Sequence, residues 1–281
     1  MLKNIRLVLA IVAIFLAVPS QYAQTNIQIN NPRPMAEAAL EIERMFSLAI
    51  NYEDCSYVHS EDISDVTDRE VKAETRLAYP KFRLLVPRAT SLSLRLSEAQ
   101  SKSLLESATA AIGSYNSASR STQFRLLEDQ QSFTLLPSTC RSSDGSVKAF
   151  ASPLEILVTL PAGPKNAGQL LNLVLQQLSK TSTYTVNLGQ LPLTSFLNNS
   201  IMVSPGTHTG RSAIGQIIRA TLGASIVRDS KETLNGSYHL YFDPGLKVFM
   251  LNVHALPSAE LHPPTSPKPA EPQKNKLFTK Q

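Results

Sequence analysis

Leu154-Glu155-Ile156-Leu157-Val158-Thr159-Leu160 is the cleanest two-residue alternation in this 281-residue chain. Leu154, Ile156, Val158 and Leu160 fall on one side of an extended strand, and Pro161 with Gly163-Pro164 ends it. Ala167, Leu170, Leu171, Val174 and Leu178 then repeat at helical spacing, so a helix is predicted over 166–180. Tyr184, Val186 and Leu188 read as a strand, and Ile201 to Val203 as a short one. A second helix over 211–222 has Thr209 or Ser212 to cap it and Gly223 to stop it. Ile226-Val227 and Tyr238, Leu240 and Phe242 read as strands. Leu246 to Val253 is nearly all apolar, as in a strand buried on both faces.

The first half carries the same order. Pro34 suits the first turn of a helix, and Met35, Ala39, Ile42, Phe46 and Ala49 line one face of it. Leu92, Leu94 and Leu96 alternate on a strand. Ser97 with Gln100 forms a capping-box pattern, and Leu104, Leu105, Ala108, Ala111, Ile112 and Tyr115 line a second helix. Phe124 with Leu126, then Phe133 with Leu135, make a hairpin around Glu128 to Gln131. The predicted class is α+β, with two similar small modules, each helix-strand-strand-helix-strand-strand, over 35–137 and 154–256. Residues 21–34 read as a flexible lead-in and 138–153 as a linker. The tail over 257–281, rich in Pro and Lys, buries too little apolar surface to offset its ordering entropy and reads as disordered.

Each half resembles the secretin/TonB short N-terminal domain. The similar features are Met35-Ala36-Glu37-Ala38-Ala39-Leu40 opening the first helix, Leu92-Ser93-Leu94-Arg95-Leu96 before the second, and Thr221-Leu222-Gly223 closing the second helix of the later half. The resemblance covers most of 35–136 and 154–253. It implies a bacterial envelope location and partner-protein binding by sheet edges and helices, with no catalytic residues to carry over. The sequence departs from that family in a long stretch over 51–81 and in the lack of a following barrel.

The N-terminus fits an export signal. Lys3 and Arg6 precede a twelve-residue apolar run from Leu7 to Val18, and small residues after Pro19 permit cleavage after Ser20 or after Ala23. A membrane span needs about 20 apolar residues, so residues 1–20 read as a cleaved signal and no stable span is expected afterwards. The net charge of +5 falls to +3 once Lys3 and Arg6 leave, and the basic tail holds +2 of that. The folded part is therefore near neutral, which speaks against a nucleic-acid partner. Cys55 and Cys140 are expected to form a disulfide in an oxidising compartment.

Chemical motifs are sparse. Gly210-Arg211-Ser212-Ala213-Ile214-Gly215 approaches a nucleophile elbow, but its second glycine falls one residue late. Asp229 or Asp243 and His239 or His254 follow Ser212 in hydrolase order. No two of the five histidines have the i,i+4 spacing of a zinc helix. His59-Ser60-Glu61-Asp62 reads as a solvated loop, and Glu53-Asp54 and Asp62-Asp65-Asp68 as an exposed acidic segment. No catalytic residue, metal site or cofactor is assigned. The expected function is a non-enzymatic protein-binding or assembly role for an exported envelope protein with an unidentified envelope partner and unspecified oligomeric state. The alternatives are a serine hydrolase using Ser212 and a small-ligand carrier in the cleft between modules.

Overall fold

The computed structural model describes residues 25–97, 100, 103–119, 121–129, 132–223 and 234–257. The expected signal, the Ile226-Val227 strand, Asp229 and the expected tail beyond Pro257 lie outside them. The described residues begin with a strand where a flexible lead-in was expected. Ile27 and Ile29 alternate with polar residues in β1 (Thr25–Asn31) and pair antiparallel with Leu94 and Leu92. Helix α1 (Pro34–Phe46) starts at its proline and buries Met35, Ala38, Ala39 and Ile42. It ends where Ser47 turns left-handed at φ 51°. β2 (Ile50–Glu53) follows, buried at every residue.

The stretch that follows is not wholly loop. It holds β3 (Ile63–Asp65), the short helices α2 (Thr67–Glu70) and α3 (Ala73–Ala78), and β4 (Leu85–Pro87), with β3 paired to β4. β5 (Thr90–Leu96) buries Leu92, Leu94 and Leu96 as its alternation requires. The capping box forms, with Ser97 N donating to Gln100 Oε1 and Gln100 N donating to Ser97 Oγ. Helix α4 (Leu104–Ala118) itself starts later, capped by Ser103. β6 (Gln123–Asp129) and β7 (Ser132–Arg141) form the expected hairpin, and β8 (Val147–Ala149) adds to the end of β7. Much of the expected linker is thus sheet.

In the second half the quoted alternation resolves into a 3-10 turn at Pro153–Glu155 and β9 (Leu157–Leu160), with Leu154, Val158 and Leu160 buried. β10 (Lys165–Asn166), α5 (Ala167–Thr181), β11 (Val186–Leu188), α6 (Leu193–Asn198), β12 (Ser200–Ile201), β13 (Gly206–Thr209) and α7 (Gly210–Gly223) follow. β14 (Leu234–Asp243) and β15 (Val248–Pro257) close the fold as a hairpin. β15 buries Phe249, Leu251 and Val253 on one side, while Met250, Asn252 and His254 on the other are only half-buried, so it is not the doubly buried strand expected.

The two halves are α+β units of one topology. β1 pairs antiparallel with β5, and β9 with β13. β2 lies parallel to β7, and β11 to β15. The hairpin β6–β7 matches β14–β15. Residue equivalence follows from the buried pattern. Met35, Ala38, Ala39, Ile42 and Glu43 of α1 match Ala167, Leu170, Leu171, Val174 and Leu175 of α5. Ser107, Ala108 and Ala111 of α4 match Ala213, Ile214 and Ile217 of α7.

The halves do not keep separate sheets. β14 pairs parallel with β2, giving one seven-stranded sheet in the order β11-β15-β14-β2-β7-β6, with β8 beside β7. The first core, on α1 and α4, takes Ile50, Tyr52, Phe124 and Leu135 from this sheet. The second, on α5 and α7, takes Tyr238, Leu240, Phe242, Phe249 and Leu251. Because β2 and β14 run parallel while each half keeps its internal order, one half is turned over relative to the other. Their helices cover opposite faces.

Cys55, just past β2, is bonded to Cys140 on β7, with Cα atoms 5.9 Å apart. The bridge ties the central strand to its neighbour across 85 residues of sequence. Replacing both cysteines by alanine should lower stability by about 4–5 kcal/mol in the loop-closure account. Urea unfolding of the two proteins measures it, and an unchanged midpoint would contradict it.

Candidate functional site

β2 carries the polar centre of the molecule. Glu53 and Asp54, expected in an exposed acidic segment, are both 0% exposed. They are buried because each carboxylate meets an arginine distant in sequence, Arg211 for Glu53 and Arg33 for Asp54. Arg211, in the first turn of α7, binds Glu53 with Nε at 2.7 Å and Nη2 at 3.0 Å. Arg33, at the start of α1, donates Nε to Asp54 Oδ2 at 2.6 Å and Nη2 to the Phe242 carbonyl at 2.6 Å. A guanidinium at a helix N-terminus opposes the helix dipole, and the facing carboxylates offset that cost. Burial disfavours both arginine charges, yet the carboxylates beside them hold the guanidiniums above their ordinary range.

The remaining lone pairs are also used. Tyr238 Oη donates to Glu53 at 2.9 Å, and Tyr52 Oη and Phe242 N donate to Asp54 at 2.7 and 3.0 Å. Burial, then the adjacent Glu53 or Asp54, raises the Tyr238 and Tyr52 phenols well above their usual range. Asn51 Oδ1 accepts from Tyr238 N, and its Nδ2 donates to Thr134 Oγ1. Asp54 N donates to the Leu240 carbonyl at 2.9 Å. The halves are thus joined by a backbone ladder reinforced by one ion pair between them, Arg211–Glu53, and by the bonds of Phe242 to the Arg33–Asp54 pair of the first half.

On the other face, α1 presents Glu43 toward β14 and β15. Glu43 Oε1 accepts from Ile50 N at 2.8 Å, and burial pushes the carboxyl up to about 7. The buried His239 shares a hydrogen bond with Tyr241 Oη at 2.8 Å. Burial, with His254 at 4.7 Å between ring centroids, brings His239 down to about 3.

The sheet ends at β11 on one side and at β6 on the other. Phe249 N donates to the Thr185 carbonyl and Gly189 N to the Leu251 carbonyl. By alternation, the N–H and C=O of Val186 and Leu188 point away from β15. Val186 is closed off by Ser179, whose Oγ accepts from Val186 N at 2.9 Å and donates to its carbonyl at 3.1 Å, so Leu188 is what remains along the outer edge of β11. Beside that edge runs a groove of about 350 Å³ against α5, lined by Asn172, Leu175, Gln176, Ser179, Asn187 and Leu188. In the first half the equivalent place, between β2 and Glu43 of α1, is filled by β14. Asn187 stands where Asn51 stands in β2, and Leu188 where Tyr52 stands. At the opposite end, β6 has Phe124 closed off: Asn116 Oδ1 accepts from its N–H and Asn116 Nδ2 donates to its carbonyl, both at 2.8 Å. Alternation leaves the backbone of Leu126 and Glu128 facing outward.

Ser212 caps nothing itself. Its N–H donates to Thr209 Oγ1, and its hydroxyl accepts from Gln216 Nε2 at 3.3 Å. Asp243 accepts from Gly245 N and Leu246 N in the β14–β15 turn. These bonds draw neither His239 nor Asp243 toward Ser212. Arg141 lies among His59, Glu61 and Asp62. Among the described residues, no group of three or more His, Cys, Asp or Glu side chains is placed to hold a metal ion, and no helix is long and apolar enough to cross a membrane. The cleft between the halves, flanked by Ser56, Arg141, Phe150, Tyr184 and Phe249, holds about 250 Å³, below the roughly 300–1,000 Å³ of ligand pockets. A cleft of about 590 Å³ lies within the first half, walled by Tyr57, Asp62, Arg88, Tyr115 and Thr122. Comparison with protein-family models, curated proteins and solved structures finds no match to the chain.

Sequence reasoning missed Glu53, Asp54, Arg33 and Arg211 because each pairing is non-local. Asn51 and Asn187, one per half, were a visible signal once the halves were aligned. Arg211→Ala leaves Glu53 buried without its guanidinium and should cost about 3–5 kcal/mol of stability, read by urea unfolding; a loss below about 1 kcal/mol would contradict it. Glu43→Gln keeps the bond to Ile50 N. The raised pKa means that wild-type Glu43 contributes fully below about 4.5 and loses that contribution as pH rises through about 7. His239 acts oppositely, adding stability as pH rises from about 3 to 6.5. Relative to wild type, Glu43→Gln should therefore gain about 3 kcal/mol between pH 4.5 and 8. Parallel pH profiles for the two proteins would refute the assignment.

Proposed function

We propose that this chain is an exported, non-enzymatic binding or assembly protein of the cell envelope, and that it recruits an extended segment onto the open edge of β11. The observation that carries this is the groove beside Leu188. Its outward N–H and C=O lie beside Leu175 on an otherwise polar stretch of α5, and the same place in the first half is occupied by a strand. A strand added there would gain main-chain hydrogen bonds from β11 and side-chain contact with Leu175 and Leu188, which is the physics of β-augmentation. The disulfide fits an oxidising compartment, and the export signal read from Lys3 to Ser20 gives the route.

A photo-crosslinking amino acid at Leu188, in the full chain expressed in its own envelope, tests this. Crosslinking to a protein from position 188, lost when Asn187 is replaced by proline to distort the edge, is the expected result. Crosslinking only from the exposed Leu77, with none from 188, would overturn it.

A further inference from the structure

The pairing that joins the two halves uses the β6-type strand of one half and the β2-type strand of the other. After it forms, one strand of each type remains at a sheet end: β6 of the first half and β11 of the second. We infer that the segment taken up by the β11 edge is β6 of a second copy of this chain, giving a head-to-tail assembly. This rests on the reading of the β11 groove given above and names its occupant.

Strand direction agrees. β2 and β14 are parallel, β6 opposes β7 and so β2, and β11 follows β15, which opposes β14. β6 and β11 therefore run the same way. A copy added by translation along the sheet sets them parallel, as β14 and β2 are within the chain. In the internal pairing, His239 lies opposite Tyr52 and the Leu240 carbonyl accepts from Asp54 N. The counterparts between copies are Arg125 opposite Leu188, and the outward Leu126 carbonyl.

Side chains agree as well. In the internal contact Ser237, His239 and Tyr241 lie toward α1. Of their equivalents on β6, Gln123 is turned back onto the Asn116 and Ser119 carbonyls, while Arg125, 3.9 Å from Glu155 of its own chain, and Leu127 lie on the side that meets the groove of Leu175, Gln176 and Lys180 in the next copy. Asn116 already satisfies Phe124, and the equivalent Tyr238 N–H is likewise met by a side-chain amide, that of Asn51. The cap therefore leaves the pairing segment at Leu126 clear. Glu53 and Asp54 correspond to Gly189 and Gln190, so the contact between copies lacks the counterpart of the Arg211–Glu53 pair and of the Phe242 N–H bond to Asp54. It is weaker than the internal one and depends on concentration. Both contacts being head-to-tail, the assembly does not close on itself and grows as an open array.

Sedimentation of the full mature chain over a concentration series is the test, together with oxidation of a mixture of Arg125→Cys and Leu188→Cys proteins. The expected results are a mass that rises with concentration, loss of that rise in Leu188→Pro, and a disulfide-linked heterodimer. A Leu193→Cys control in place of Leu188→Cys should give no such product. A single monomeric mass at every concentration with no heterodimer would overturn the inference. If the chain stays monomeric while position 188 crosslinks to a different protein in the envelope, self-assembly fails and the edge-binding reading stands.

Discussion

The structure depends on burying two adjacent carboxylates in one short strand. Glu53 and Asp54 lie at the end of β2, out of reach of water, and each is neutralised by an arginine from the start of a different helix. A buried ion pair is weak evidence for net stability, since desolvation takes back much of the Coulombic gain. Its consequence is specificity. Leaving either carboxylate unpaired in that interior is costly, so the side of β2 away from β7 is matched to β14, which brings Tyr238, Phe242 and the Arg211 helix with it. The parallel register of β2 on β14, and with it the single sheet, follows from that requirement.

From this register comes the layered arrangement. Each half packs its helix pair between a two-stranded ribbon and its three strands of the shared sheet. The flip between halves puts the helix pairs on opposite faces. Tyr52 then stacks at 5.9 Å on Phe124 in one core, while Phe242 meets Phe249 at 5.0 Å in the other. Gly236 shows how close the helix layer sits: a Cβ there would run into Leu222 Cδ1 and lie 3.0 Å from Ile218 Cγ2, both on α7. The disulfide from Cys55 to Cys140 fixes the far side of β2 to β7. The central strand is thus bound on one side by covalent chemistry and on the other by charge.

Most helices and the duplicated order were legible in the sequence because their signals are local. Apolar spacing from Met35 to Ile42, the Ser97–Gln100 capping box and the stop at Gly223 each act within one or two turns. What sequence could not show was pairing at a distance. Glu53-Asp54 looks like solvated acid until Arg211 is placed 158 residues away. Thr25–Asn31 has only Ile27 and Ile29 to mark its alternation, too few to separate a strand from a polar lead-in. Two similar modules were expected, and their shared sheet was not, because nothing in β2 or β14 alone states that each is the other's neighbour. The open groove at β11 was hidden for the same reason: it is recognised by comparison with the filled place in the first half.

One sheet through β2 makes the two halves a single cooperative unit, with β11 as its open edge. Native-state hydrogen exchange of dilute protein tests it most directly. The account predicts that the Asp54 amide and the core amides of both halves exchange with one shared free energy, equal to that of global unfolding, while the Leu188 amide exchanges much faster. Two distinct free energies for the halves, with Asp54 following the weaker one, would contradict it.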